Sequence, residues 1–222
     1  RVQGFSESIR GRLEAGEAEM APFAAGGSPK ELLVLRHLRR YYEDDLDIIA
    51  HEYEQIKLTP PNTTFNDSLT LFRAERRIQL LDLGPGKSGA ATVVYLPDDG
   101  VVITGDVVTR PIPYGFARDP VGWLKTLRRI SALEFRILIP GHGEIDHGKG
   151  YVGSVIDLVD FMLTKVQEAV AASLDVETTR EALDLGTFRD RFTSRDPLFE
   201  YRFDTWFAQP AIERAHRALS PE

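Results

Sequence analysis

The sequence predicts a layered α/β fold, and three observations carry that prediction. Helical periodicity fills the first quarter of the chain, short β-branched runs fill its middle, and helical periodicity returns after residue 150. An order of helices, strands, one helix, a last strand and more helices is the pattern of a sheet packed on helices. The 222 residues suffice for one domain with a sizeable core, or a core with a small helical addition.

The first helical region spans about Phe5 to Ile56. Ile9, Leu13 and Met20 give an amphipathic stretch, broken at Ala24-Ala25-Gly26-Gly27-Ser28-Pro29. Ser28 is a predicted cap, with Pro29 at the first helical position and Glu31 three residues after Ser28. Leu32, Leu35, Leu38, Tyr42, Leu46, Ile49, Tyr53 and Ile56 then recur at helical spacing and predict a packing stripe. Leu58-Thr59-Pro60-Pro61-Asn62 ends it.

Strands follow. Ser68–Arg73 alternates, and Arg77–Leu83 alternates after a short polar turn. Thr92–Leu96 and Val101–Thr104 are nearly continuous apolar runs joined by Pro97-Asp98-Asp99-Gly100, a composition that suits strands covered on both faces. Trp123, Leu124, Leu127 and Ile130 give Pro120–Ala132 one apolar side, which predicts a helix. Phe135–Ile139 is the last predicted strand. From Tyr151 the helical spacing resumes through Val170. A region rich in Phe188, Phe192, Phe199, Tyr201, Phe203, Trp206 and Phe207 reads as helix packing, with a homodimer contact as its second reading. The predicted divisions are 1–58, 59–150 and 151–222.

Composition excludes several classes of function. The formal net charge of −7 disfavours a general nucleic-acid or anionic-membrane binder. No apolar run reaches the roughly 18 residues of a transmembrane helix. With no cysteine, disulfides, thiolate metal sites and cysteine nucleophiles are excluded, and the compartment, cytoplasmic or periplasmic, stays open.

The polar residues at the ends of apolar runs are the candidates for chemistry. Asp106 follows Val-Val-Ile-Thr-Gly, and His142 follows Arg-Ile-Leu-Ile-Pro-Gly. Carboxylate and imidazole are both ordinary zinc ligands. Each alone also reads as a plain glycine-containing turn. Gly86-Lys87-Ser88 invites a phosphate-loop reading, but Leu81 stands where that motif needs a glycine, and a strand is predicted where it needs a helix. Gly86-x-Ser88-x-Ala90 likewise lacks the second glycine of a serine-hydrolase elbow. Pro111-Ile112-Pro113-Tyr114-Gly115-Phe116 follows Asp106; Tyr114 and Phe116 either line a substrate pocket or pack the loop down.

Taken in order, Gly86-Lys87-Ser88, Val94-Tyr95-Leu96-Pro97, Gly105-Asp106 and Pro140-Gly141-His142-Gly143 resemble the back half of the metallo-β-lactamase superfamily. The resemblance is close over about Pro61 to Gly148 and only general in the flanking helices. It implies a metallo-β-lactamase-like αββα sandwich, present as its second half, with a helical insert before it and helices after it. It also implies a metal-dependent hydrolase of a small-molecule substrate, using one or two zinc ions. Asp106 matches the carboxylate that bridges two metals, and His142 matches the last histidine. Lys87 stands where the family has a histidine, and a protonated lysine has no lone pair to offer a metal. The expectation is that Lys87 fills the vacated place with its own charge, paired to Asp106. The family's His-x-His-x-Asp-His cluster has no counterpart in the sequence. The chain, which opens on Arg1, is therefore expected to begin just after that cluster, and alone to hold zinc weakly and hydrolyse little. His37, His51, His147 and His216 are each expected to be without a catalytic role. A non-catalytic scaffold or binding protein with a degraded metal site is the alternative that the lysine raises.

Overall fold

The computed structural model describes residues 29–40, 57, 59–86 and 88–220. The chain divides into two compact units, residues 1–64 and residues 65–222. In the first, helix α1 spans Pro29–Arg39. Proline at its start carries a fixed φ suited to a first turn and lacks only an N–H that would find no intrahelical partner there. Leu35 of the predicted stripe is buried, whereas Leu32 is half exposed and the neighbouring Val34 is buried instead. The predicted cap Ser28 and the stripe from Tyr42 to Ile56 lie outside the described residues.

The second unit is built on one six-stranded sheet, ordered β1-β2-β3-β4-β5-β6. Its strands are β1 (Ser68–Arg73), β2 (Arg76–Asp82), β3 (Thr92–Leu96), β4 (Val101–Thr109), β5 (Ile137–His142) and β6 (Asp146–His147). All neighbours are antiparallel except β4 and β5, which run parallel and are joined through helix α2 (Pro120–Ala132). A parallel pair needs such a crossover, because a tight turn cannot return the chain to the same end. Asp119 caps α2 by accepting from the Gly122 N–H at 2.8 Å, and Pro120 opens the helix. At the far end, the Arg77 guanidinium hydrogen bonds Asp98 and holds its carboxyl below the usual carboxylate range. That contact ties the start of β2 to the β3–β4 turn.

The apolar runs in β3 and β4 do not mean coverage on both faces. Val93, Tyr95, Val102 and Thr104 are buried, while Val94, Leu96, Val101 and Ile103 between them are only half-buried. Side chains alternate across a strand, and the deeper face packs on Trp123, Leu127 and Ile130 of α2. The same core takes in Val152, Val155, Val159, Met162 and Val166 of helix α3 (Gly150–Ala171). The remaining helices are α4 (Val176–Ala182), α5 (Gly186–Thr193), α6 (Pro197–Arg202) and α7 (Gln209–Leu219), with a π-helical turn, Phe203–Ala208, between the last two. Phe192, Phe203, Phe207, Ala211 and Ile212 bury themselves against α3 in this same core.

Gly153, inside α3, has no packing reason to be glycine. A Cβ at Gly153 would meet nothing within 4 Å. Gly153→Ala is expected to raise stability by about 0.5–1 kcal/mol through lower unfolded-state entropy. A shift of the urea midpoint to higher concentration at unchanged m-value is the check; no shift, or a fall, refutes it.

Candidate functional site

Both predicted site residues sit within strands rather than on the loops beyond them. β4 continues past Thr104 to Thr109, with register shifts against β5 between Ile103 and Gly105 and again between Gly105 and Thr109. Bulges of this kind re-aim side chains. Gly105 has φ +51, a conformation that glycine adopts without strain, and Asp106 follows it. On β5, a Cβ at Gly141 would strike the Asp106 carboxylate, and would lie 2.6 Å from the Gly105 carbonyl carbon and 2.7 Å from the Asp106 nitrogen. Only a glycine lets β5 pass beneath Asp106. The next residue on β5 is His142.

The result is a close pair. Asp106 Oδ1 lies 3.3 Å from His142 Nε2, with both side chains about half exposed. Two ligand atoms on one tetrahedral ion, each about 2.0–2.1 Å from it, are separated by roughly 3.3–3.4 Å. The pair therefore fits adjacent corners of a zinc site, and it equally fits an N–H···O hydrogen bond. Among the described residues, no three His, Asp or Glu side chains gather in a metal-holding group. The residues described thus suit a metal as two of its ligands and do not complete its shell.

Tyr114 stands beside the pair, its ring centroid 5.4 Å from that of His142. Its backbone N–H donates to Thr109 Oγ1 at 3.0 Å, which fixes the loop leaving β4. Burial pushes the Tyr114 phenol above its ordinary pKa and the Asp106 carboxylate adds to this, while Arg202 opposes it. Phe116 lies edge-on to Tyr114 at 6.3 Å and is 42% exposed. The other neighbour is one that sequence reasoning left among the packing aromatics. Trp206, on the π-helical turn, sets its ring edge-on to Tyr114 at 5.6 Å. The Gly115 N–H donates to the Trp206 carbonyl at 2.7 Å, and a Cβ at Gly115 would collide with the Phe207 carbonyl. A π turn adds one residue to the helical register and often marks a functional site; here it is the feature that brings Trp206 to Tyr114.

Lys87 lies outside the described residues, so its expected pairing with Asp106 does too. The loop around it is anchored from α2. Thr126 Oγ1, fully buried, hydrogen bonds the carbonyls of Leu83 (3.0 Å) and Pro85 (2.6 Å), and Arg129 donates to Leu83 at 3.1 Å. Ser88 donates to the Ala90 carbonyl at 2.8 Å, and the next element is strand β3. Neither a phosphate loop nor a nucleophile elbow has that form, since both need a helix to follow. Among the other histidines, His147 pairs in β6 with Ile137, and His216 Nε2 lies 2.9 Å from the Leu174 carbonyl. The His37 side chain and His51 lie outside the described residues.

Comparison with known proteins bears on this arrangement. The family model described as the metallo-beta-lactamase superfamily matches residues 21–142. A linear primary-alkylsulfatase from Pseudomonas sp. (strain ATCC 19151) is 31% identical over 115 residues, covering 49% of this chain and 21% of that protein. The chain thus spans about a fifth of the length of this curated relative. Among solved structures, a stereoselective inverting sec-alkylsulfatase from Pseudomonas sp. aligns with a TM-score of 0.54 at 15% identity, over 71% of this chain and 26% of its own. A metallo-beta-lactamase from Pontibacter korlensis aligns with a TM-score of 0.42 at 19% identity, over 53% of this chain and 55% of its own. Because the family model matches more than half of the chain, from before the sheet to His142 at the end of β5, the chain belongs to the metallo-beta-lactamase superfamily.

Proposed function

We propose that this chain supplies one side of a hydrolytic metal centre, and that the ester it serves is an alkyl sulfate. The observation that carries the proposal is the separation of 3.3 Å between Asp106 Oδ1 and His142 Nε2, where the β4–β5 register shifts between Gly105 and Thr109. The substrate class is suggested by the two alkylsulfatase relatives, and the aromatic surroundings of the pair suit it.

Asp106 and His142 would hold the ion. A zinc ion held there would supply Lewis acidity toward the ester oxygen and would acidify a water. The remaining work falls to the chain's own side chains. Tyr114 offers ring surface next to the pair, and Phe116 and Trp206, each edge-on to Tyr114, extend it, a surface suited to an alkyl chain. Thr109 and Gly115 keep that wall in place by their hydrogen bonds to Tyr114 and Trp206. A fully assembled catalytic zinc site has at least three protein ligands, so the chain alone is expected to bind zinc weakly.

The test is a titration of the chain with Zn2+, followed through the side-chain 15N resonances of the histidines. His142 is expected to shift, with a midpoint far weaker than a complete site gives, and His147 and His216 to stay unmoved. A polypeptide that also carries the family's upstream histidines is expected to release inorganic sulfate from a linear primary alkyl sulfate. An unresponsive His142 refutes the metal reading; a responsive His142 without sulfate release refutes the substrate. Lys87, which the sequence resemblance matches to a ligand histidine, favours a second reading, a non-catalytic binding protein of the same fold. That reading predicts no hydrolysis of any ester by the longer polypeptide.

A further inference from the structure

We propose that Arg110 is a positioning residue for His142, and that it works through a clamp with Asp146 and Tyr151; this rests on the reading that Asp106 and His142 share a metal. Arg110 meets the His142 segment at three points. Its backbone N–H donates to the His142 carbonyl at 3.0 Å. Its own carbonyl lies against Gly143, where φ is +87 and an added Cβ would fall 2.8 Å from both the carbonyl carbon and the Cβ of Arg110. Its guanidinium reaches the far end of the same segment, with Nη1 3.0 Å from Asp146 Oδ1 and 3.4 Å from the Ile145 carbonyl. One residue therefore grips the segment at residues 142, 143, 145 and 146.

The grip is itself held from α3. The Arg110 guanidinium carbon sits 4.7 Å from the centre of the Tyr151 ring, a cation–π contact. The Tyr151 hydroxyl donates to the carbonyls of Thr109 (2.6 Å) and Pro111 (3.0 Å), on either side of Arg110. Tyr151 thus fixes both the side chain and the backbone of Arg110. Asp146 is only 15% exposed, and its Oδ2 is buried with no hydrogen-bond partner. A largely buried carboxylate stripped of its cation is destabilised where it stands, and an outward turn toward water relieves that cost. Without Arg110, Asp146 would swing outward and carry the segment from His142 with it. Groups that orient a ligand from behind it are worth about 10–100-fold in metal affinity.

The experiment uses the whole chain and Zn2+ alone, read at the His142 side-chain nitrogens. Arg110→Ala is expected to weaken the zinc midpoint about 10-fold or more. Arg110→Lys is expected not to restore it, since an ammonium lacks the guanidinium plane that stacks on the Tyr151 ring while its Nη1 reaches Asp146. Asp146→Asn, isosteric and less disruptive, is expected to weaken the midpoint severalfold, and carries the test should Arg110→Ala fail to fold. Ile212→Val, a buried change in α7, lowers stability without touching the clamp and is expected to leave the midpoint alone. A folded Arg110→Ala that titrates like the unaltered chain overturns the proposal, as does full rescue by lysine or an equal loss in Ile212→Val. If the unaltered chain's His142 ignores zinc, the metal reading falls first and this one with it.

Discussion

Replacing Gly141 with alanine is expected to abolish the Asp106–His142 pairing, and with it at least about 10-fold of zinc affinity, since displacing a ligand costs no less than losing a group that orients it. The added methyl has nowhere to go. The Gly105 carbonyl carbon at 2.6 Å and the Asp106 nitrogen at 2.7 Å are backbone atoms of the neighbouring strand, and the Asp106 carboxylate lies closer still. Rotating a side chain clears none of the backbone contacts, so the two strands must separate where both proposed ligands sit. Overpacking of this kind costs typically 1–3 kcal/mol, so the protein is expected to remain folded while the site fails. Gly89→Ala is the companion variant, because a Cβ there meets nothing within 4 Å. It is expected to leave zinc binding unchanged. Zinc titration and a thermal melt, run together on both variants, give the result. A Gly141→Ala protein that binds zinc as before would show that the strands have slack at the bulge, and that the close approach does not set the pair.

Gly141 also shows how far the sequence could be read. The pattern Pro140-Gly141-His142-Gly143 marks the place, and the order of motifs links Asp106 to His142 across 36 positions. Periodicity alone predicts β1 as Ser68–Arg73, β3 as Thr92–Leu96 and α2 as Pro120–Ala132, and the structure has these bounds. It ends the fourth strand at Thr104, where the structure carries it to Thr109 through two register shifts. Glycine and aspartate in a β-branched run read as a stop, yet a bulge accommodates both without ending the strand. Trp206 was missed for a related reason. Seven aromatic residues in a helical region satisfy a packing pattern in several ways, and only a π turn selects the one that meets Tyr114. Thr126 and Arg110 leave no local signal. Their partners lie 41 and 43 residues away for Thr126, and 32 to 41 for Arg110, and side-chain hydrogen bonds to a distant backbone have no period.

Truncating Trp123 is expected to have the largest effect on stability. Its side chain is 1% exposed at the centre of the core between α2, α3 and the sheet, and its indole N–H donates to the Val107 carbonyl at 3.0 Å. Trp123→Ala removes a large buried side chain, at about 3–5 kcal/mol. It also leaves a buried carbonyl without that donor, for about 1–3 kcal/mol more. Domains of this size have roughly 5–15 kcal/mol in all, so the variant is expected to be largely unfolded at moderate temperature. Trp123→Phe separates the two contributions, since it keeps most of the packing and loses the hydrogen bond. It is expected to cost about 1–3 kcal/mol, and the location of that loss is what matters. Val107 directly follows Asp106 on β4, so the indole holds the strand one residue from the proposed ligand. Trp123→Phe should therefore weaken zinc binding as well as stability, whereas Ile212→Val should change stability only. Urea unfolding can be followed in Trp123→Phe through Trp206, which is then the sole tryptophan of the sequence. If Trp123→Phe proves less stable yet binds zinc with the original midpoint, the indole serves the core alone, and the bulge holds Asp106 without help from α2.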